Sequence, residues 1–317
     1  MLIYRQLDEL PAAQTPVVAT IGNFDGVHLG HQAVIAEVIA RARFLGGLSL
    51  AITFDPHPAR VLRPEQPRQL ITPLARKLEL LADTGIDATL VLPFTEALGR
   101  CSARDFVTQV LVNAVHVTEV HEGANFRFGH HAEAGVTGPT GLQALGRELG
   151  FTVTSYAPLS LRGAPVSSSR IRTLLATGDV SHARALLGVP FSVDSTPASG
   201  RGFGARYTVP TVNLASYPEL LPANGVYITT LAVGQETFQG VTNVGVRPTF
   251  GEASFAVESH LLDFHPIELT EKTALRLTFL RRLRDEERFA SPEALREQIA
   301  RDVTCARRYF SLCNLVV

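Results

Sequence analysis

The sequence predicts two domains of different class: an N-terminal α/β domain built on a parallel sheet, then a small antiparallel β-barrel with a terminal helix. Three observations predict this. The 317 residues correspond to about two domains at roughly 150 residues each. Short apolar strands alternate with helical patterns through the first half, as in a parallel sheet covered on both faces. From Phe191 to Phe279 the pattern becomes strand-like and turn-rich, with many Gly, Pro, Thr and Val residues and no long helical period.

Taken in order, Val17 to Ile21 is a strand bounded by Gly22 and Asn23. Val34, Ile35, Val38 and Ile39 recur on one face of the helix that follows. Leu48 to Phe54 is a second buried strand, closed by the DPHP turn at 55–58. A helix from Leu74 to Thr84 precedes the strand Ala88 to Leu92, and a helix from Asp105 to Asn113 precedes the strand His116 to His121. Gly141 to Leu149 is helical and Phe151 to Tyr156 extended. Residues 167–188 form two short helices broken at Gly178. The runs GVYITTLAV (225–233) and ALRLTFL (274–280) are barrel strands. Ser291 caps a last helix with Pro292 in its first turn. Its stripe Leu295, Ile299, Val303, Ala306 and Phe310 is expected to pack on the barrel. The domains are placed at 1–187 and 188–317.

Composition narrows the function. Hydrophobic residues make up 45% and charged ones 19%, enough for a core in each half, which excludes a disordered tail or a collagen-like rod. Cys101, Cys305 and Cys313 show no metal or disulfide spacing. A net charge of −1 argues against a protein whose main work is gripping nucleic acid. No apolar run reaches the ~18–20 residues of a membrane span, and the N-terminus does not read as a signal peptide. A cytoplasmic protein without nucleic-acid or membrane partners is expected. Only Lys77 and Lys272 are lysines; the other basic residues are arginine, which base composition explains better than phosphate binding.

The string TIGNFDGVHLGH (20–31) runs from the first strand into the first helix. Gly22 and Gly26 allow a close backbone approach. His28 and His31 are three apart, so at a helix start they share a face. The free N–H groups and positive dipole end of such a helix favour phosphate, and two imidazoles there can donate to triphosphate oxygens. The string is not the dinucleotide fingerprint. It resembles the HxGH signature of the nucleotidyltransferase superfamily, which implies a Rossmann-like domain. No KMSKS lysine loop is present; SSSRIR (167–172) stands in its place.

Two further strings, TFDPHP (53–58) and GANFRFG (123–129), follow later strands. Together these four resemble the FMN adenylyltransferase module of the prokaryotic bifunctional riboflavin kinase/FAD synthetase family. The resemblance implies that His28 and His31 contact the phosphates in transfer, within an ATP site that includes Gly22, Phe24, Gly26 and Gly30. Asn125 would orient substrate, Ser168, Ser169 and Arg170 would hold the leaving pyrophosphate, and Phe128 would stack on the flavin. His57, between two prolines, is either a turn former or a ligand.

In the second half VPTVNL (209–214), NVGVRPTF (243–250) and VESHLLDF (257–264) resemble the riboflavin kinase module. The resemblance implies that Thr211 and Asn213 hold Mg²⁺ and ATP phosphates, that Glu258 is the base, and that Arg247 lies toward the flavin. Gly200, Gly202 and Gly204 would cradle phosphate. The run RLRDEERF (282–289) is expected to be a solvated charged face. Thr208 and Val209 depart from the Gly-Phe usual before this family's motif, so an adenylyltransferase with an impaired kinase half stays open as an alternative. A non-catalytic flavin-nucleotide sensor is a second alternative. An adenylyltransferase for a nicotinamide or pantetheine phosphate is a third, disfavoured by the attached barrel. Riboflavin, FMN, FAD and ATP are the partners implied; the oligomeric state is not legible.

Overall fold

The computed structural model describes residues 1–11, 15–123, 139–198, 211–249, 252–265 and 269–313; at 139, 246–249 and 252–255 it describes the backbone alone. The chain divides into two compact units, Met1–Ser168 and Ser169–Val317. Residues 169–187, assigned to the first domain from sequence, therefore fall in the second unit.

The first unit runs β1 (Leu2–Tyr4), β2 (Val17–Ile21), α1 (Leu29–Leu45), β3 (Leu48–Asp55), α2 (Pro58–Leu62), α3 (Leu74–Asp83), β4 (Ala88–Pro93), α4 (Glu96–Arg100), α5 (Ala103–Phe106), β5 (Val117–Gly123), α6 (Pro139–Leu149), β6 (Thr152–Tyr156) and the short pair β7 (Ser160–Leu161) and β8 (Ala164–Pro165). Six strands form one sheet in the order β1-β4-β3-β2-β5-β6, with parallel pairing throughout. All five residues of β2 are buried, as expected of a central strand covered on both sides. Ala19, Ile21, Leu50, Ile52 and Leu90 share a core with Phe106, Leu111 and Leu142, while Val18 packs with Val38 and Ala42 of α1. The chain leaves β2 in one direction for β3 and β4 and returns on its other side at β5. This switch point is where open α/β sheets bind ligands, beyond the carboxyl ends of the strands.

The expected helix at 105–113 is present but wound wider after Phe106: Val107–Ala114 is π-helical, and the Val115 N–H reaches back to the Val110 carbonyl at 2.9 Å. Val107, Val110 and Leu111 are all buried.

The second unit comprises α7 (Ser168–Ala176, its first residue still counted in the first unit), α8 (Val180–Leu187), β9 (Ser192–Ser195), β10 (Thr211–Leu214), β11 (Gly225–Val233), β12 (Glu236–Thr249), β13 (Glu252–Leu261), β14 (Leu275–Arg284) and α9 (Pro292–Cys313). Its sheet has the order β10-β13-β12-β11-β14-β9, with antiparallel pairing throughout. A bridge between Pro197 and Leu214 joins the segment after β9 to β10 and brings the two edges together. Tyr227, Leu231, Leu277 and Phe279 fill the interior, with the Tyr227 and Phe279 rings edge to face at 5.3 Å.

Alternation along the strands puts Val226, Ile228 and Val241 on the outer face, where Ala306 and Phe310 of α9 cover them. The expected stripe holds only toward the C-terminal end of α9. Leu295 is exposed, and the buried residue facing the barrel in the middle of α9 is Asp302.

Candidate functional site

In the first unit the site is built on the turn between β2 and α1. The Gly22 N–H donates to the Ile52 carbonyl at 3.0 Å, and the backbone then passes through positive φ at Phe24 (45°), Gly26 (94°) and Val27 (39°). Left-handed conformation at two non-glycine residues costs about 1–3 kcal/mol each. Burial of the Phe24 and Val27 side chains and a set of buried hydrogen bonds offset that strain. Asp25 Oδ1 accepts from the N–H groups of Ile71 (2.9 Å) and Thr72 (3.1 Å), and the Gly26 N–H donates to Thr72 Oγ1 at 2.9 Å. Ser168 Oγ donates to the Asp25 carbonyl at 2.8 Å.

His28 is the N-cap of α1, its Nδ1 accepting from the His31 N–H at 3.3 Å. That bond puts the proton of the neutral ring on Nε2. The His28 and His31 rings stack with centroids 3.7 Å apart and planes 13° apart, and Phe24 meets His31 edge-on at 5.2 Å. Gly30 makes room for this: a Cβ there would stand 3.2 Å from His28 Nδ1. Burial pushes the His28 imidazole down to about 4. It pushes His31 well below the usual range, with the neighbouring His28 and Lys77 charges acting the same way. His31 Nδ1 is buried without a hydrogen-bond partner among the described residues. The pair is thus two neutral donors at the positive end of a 17-residue helix, an arrangement suited to phosphate oxygens.

His57 is buried and caps α2, accepting from the Ala59 N–H at 3.1 Å, so the turn-forming role is the one seen. Ser168, Ser169 and Arg170 occupy the first turn of α7. Asn125, Phe128, Gly200, Gly202 and Gly204 lie outside the described residues, as do the rest of the string GANFRFG beyond Gly123 and residues 199–210. Arg247 is described only as backbone in β12.

Two residues near these strand ends were not singled out from sequence. Lys77 of α3 is buried, with Nζ 3.4 Å from Thr53 Oγ1; its signal was a lysine on the apolar face of a helix in a chain with two lysines. Glu122, near the end of β5, is buried and receives a hydrogen bond from Ser155 Oγ on Oε1 at 3.0 Å. Burial pushes its carboxyl up to about 7, and Oε2 has no partner among the described residues.

In the second unit register assembles the site. Thr211 stands opposite His260 and Asn213 opposite Glu258; Glu258 in turn stands opposite Asn243 of β12. Directly opposed residues project to the same face, so Asn213, Glu258 and Asn243 form a row across three strands, with Thr211 two residues away on that face. The opposite face at the same level is a buried hydroxyl ladder, Thr229 to Thr242 at 2.7 Å and Thr242 to Ser259 at 2.9 Å. That ladder satisfies the polar groups turned inward, which a barrel interior requires.

The run 282–289 is not the plain solvated face expected. Glu286 accepts from Asn243 Nδ2 at 3.2 Å and Asn224 Nδ2 at 3.3 Å, bringing a second carboxylate to the row. Arg282 donates to the carbonyls of Thr177 and Asn224, and Arg284 forms a two-pronged pair with Asp302. These arginines pin strand ends to helices and turns.

Among the described residues no three His, Cys, Asp or Glu side chains converge as a metal site. Thr211 and Asn213 offer neutral oxygens two residues apart on one strand face, beside Glu258. An all-oxygen, sparsely charged set of this kind fits Mg²⁺, which keeps waters and nucleotide phosphates as its other ligands.

Comparison with known proteins gives one family match in each half. Residues 10–170 match the family model for FAD synthetase and residues 187–310 that for riboflavin kinase. A curated relative from Pseudomonas fluorescens, named a bifunctional riboflavin kinase/FMN adenylyltransferase, is 38% identical over 309 residues, 97% of each chain. Relatives of the same name from Bacillus subtilis (strain 168) and Escherichia coli (strain K12) are 35% and 33% identical, over 94% and 95% of each chain. A solved structure from Streptococcus pneumoniae, titled a macrolide-efflux protein, matches with a TM-score of 0.86 and 23% identity over 96% of this chain and 98% of its own. At that identity the likeness establishes the fold alone.

Proposed function

The chain belongs to the family of bifunctional riboflavin kinase/FMN adenylyltransferases, and we propose how its residues carry out the two reactions. Riboflavin and ATP give FMN and ADP in the C-terminal part; FMN and ATP give FAD and pyrophosphate in the N-terminal part. The stacked neutral pair His28–His31 is the observation that carries the assignment of residues. The domain limits 1–187 and 188–317 are kept as the functional division.

In adenylyl transfer the FMN phosphate is itself the nucleophile, so positioning and charge stabilisation suffice. An oxygen of that phosphate bonds to the α-phosphorus of ATP as the α–β bridging bond breaks. His28, through Nε2–H, and His31 donate to the oxygens on which charge builds. The turn residues Gly22, Phe24 and Gly26, with Gly30 in the first turn of α1, shape the approach. Ser168, Ser169 and Arg170 receive the departing pyrophosphate, Asn125 orients substrate, and Phe128 stacks on the isoalloxazine ring.

In phosphoryl transfer Glu258 accepts the proton of the ribityl 5′-hydroxyl as its oxygen bonds to the γ-phosphorus and ADP departs. A base so placed contributes roughly 10²–10⁴-fold. Thr211 and Asn213 would hold Mg²⁺, which when bound supplies charge neutralisation on the ATP phosphates. Gly200, Gly202 and Gly204 cradle those phosphates, and Arg247 binds the flavin. We place both reactions in the cytoplasm, with riboflavin, FMN, FAD and ATP as partners and no role for nucleic acid or membrane.

The test separates the halves. His28→Ala should abolish FAD formation from supplied FMN while FMN still forms from riboflavin, and Glu258→Gln should do the reverse. Equal loss of both activities in a folded variant contradicts the assignment.

A further inference from the structure

We infer that Lys77 is a phosphate-binding cation of the adenylyl-transfer site, its ammonium contacting the anionic triphosphate of ATP beside His28 and His31. The inference rests on the reading of that site as an adenylyltransferase centre.

Three observations carry it. The first is position. Lys77 Nζ lies 3.4 Å from Thr53 Oγ1, and Thr53 Oγ1 lies 3.4 Å from the Asn23 carbonyl. Thr53 is near the carboxyl end of β3, and Asn23 follows the carboxyl end of β2 in the turn that leads to His28. The ammonium therefore sits near the carboxyl ends of two neighbouring parallel strands, at the side of the sheet where such folds bind ligands.

The second is unfilled bonding capacity. An ammonium has three donors, and Lys77 is only 3% exposed. Its side chain makes one hydrogen bond among the described residues, the long one to Thr53. Burying a cation so poorly bonded is costly unless something else completes it. Asp25 and Asp55 act to keep it charged, against burial. Asp25 Oδ1 is already engaged by two backbone N–H groups, and Asp55 is exposed.

The third is a charge deficit. Both histidines are held neutral by burial, so they donate hydrogen bonds but bring no net charge to a triphosphate. Apart from His28 acting on His31, the groups that act on them electrostatically are Asp25 on His28 and Lys77 on His31. Of these only Lys77 is cationic. A resident positive charge within reach of His31 supplies what two neutral imidazoles lack.

The experiment uses the full chain with FMN, ATP and Mg²⁺, and inorganic pyrophosphate as inhibitor. Lys77→Met and Lys77→Gln should lower kcat/KM for FAD formation by about 10- to 100-fold, the range for losing one hydrogen bond between charged groups. The inhibition constant of pyrophosphate should rise by a similar factor, with FMN formation from riboflavin unchanged. A folded variant with reduced FAD formation but unaltered pyrophosphate inhibition overturns the inference, since a merely structural lysine would behave so. Wild-type kinetics in both variants overturns it too. Should neither variant fold, a crystal of the unaltered chain grown with pyrophosphate decides. Nζ within hydrogen-bond distance of a phosphate oxygen is expected, and phosphate bound away from Nζ overturns it. His28→Ala serves as the control. If it leaves FAD formation intact the site assignment itself fails; if it is inactive while Lys77→Met is normal, only the lysine inference fails.

Discussion

Asn213 and Glu258 stand directly opposite each other on β10 and β13, and Glu258 is flanked on its other side by Asn243 of β12. A residue proposed as metal ligand and a residue proposed as base are thus held at one level of a hydrogen-bonded ladder. Glu258→Gln keeps the side-chain volume but removes the proton acceptor. FMN formation should fall by roughly 10²–10⁴-fold with conversion of supplied FMN to FAD preserved, measured by separating the flavin products.

The histidine pair sets an acid limit on stability. Burial lowers the pKa of His28 from 6.5 to about 4 in the folded chain. Below pH 6.5 the unfolded chain therefore binds a proton that the folded chain refuses, and stability falls as pH drops from 6.5 toward 4. His31 acts in the same direction. Denaturant titrations of His28→Asn across this window should show a shallower loss than wild type, because asparagine retains a capping acceptor without titrating. An unchanged slope would show that His28 is protonated in the folded state.

Glu122 has the opposite sign. Its pKa is raised from 4.5 to about 7, so the folded chain holds a proton that the unfolded chain has released, and stability falls as pH rises through that interval. Glu122→Gln should be nearly neutral at pH 4.5. At pH 8 it should stabilise by up to about 3 kcal/mol, at 1.36 kcal/mol per pKa unit. Thermal melting at the two pH values measures this, and stabilisation of equal size at both would point to packing instead.

The pair Arg284–Asp302, at 2.9 Å and with both side chains largely buried, ties the end of β14 to α9. Gln298 Nε2 also donates to Asp302 Oδ1 at 3.0 Å. Removing one partner of a buried pair strands the other charge, typically at a cost of about 3–5 kcal/mol. Asp302→Ala should therefore destabilise far more than Glu297→Ala, whose carboxylate belongs to an exposed pair with Arg301. Equal melting temperatures for the two variants would refute this.

Local pattern in the sequence carried much of this structure. Strands β2 to β6 and the helix cap at Ser291 could be read because each depends on near neighbours: an apolar run, a helical period or a capping hydroxyl; β1, three residues long, was missed. The row Asn213–Glu258–Asn243 could not, since its alignment comes from strand pairing between segments far apart in the chain. Lys77 was overlooked because a lysine on an apolar helix face contradicts the burial pattern, and only the third dimension shows what surrounds it. Arg282 and Arg284 read as solvent-facing charges, since carbonyl and carboxylate partners distant in sequence leave no local trace. Leu295 shows the converse: an apolar residue at the right spacing is exposed where the barrel surface has ended.

One chain is expected to perform two ATP-dependent reactions in succession. The decisive experiment incubates the protein with riboflavin, ATP and Mg²⁺ and follows the products over time. FMN should rise first and then decline as FAD accumulates, with ADP and pyrophosphate both released. If FMN never forms from riboflavin, while supplied FMN is still converted to FAD, the kinase half is inactive and the two-reaction assignment is contradicted.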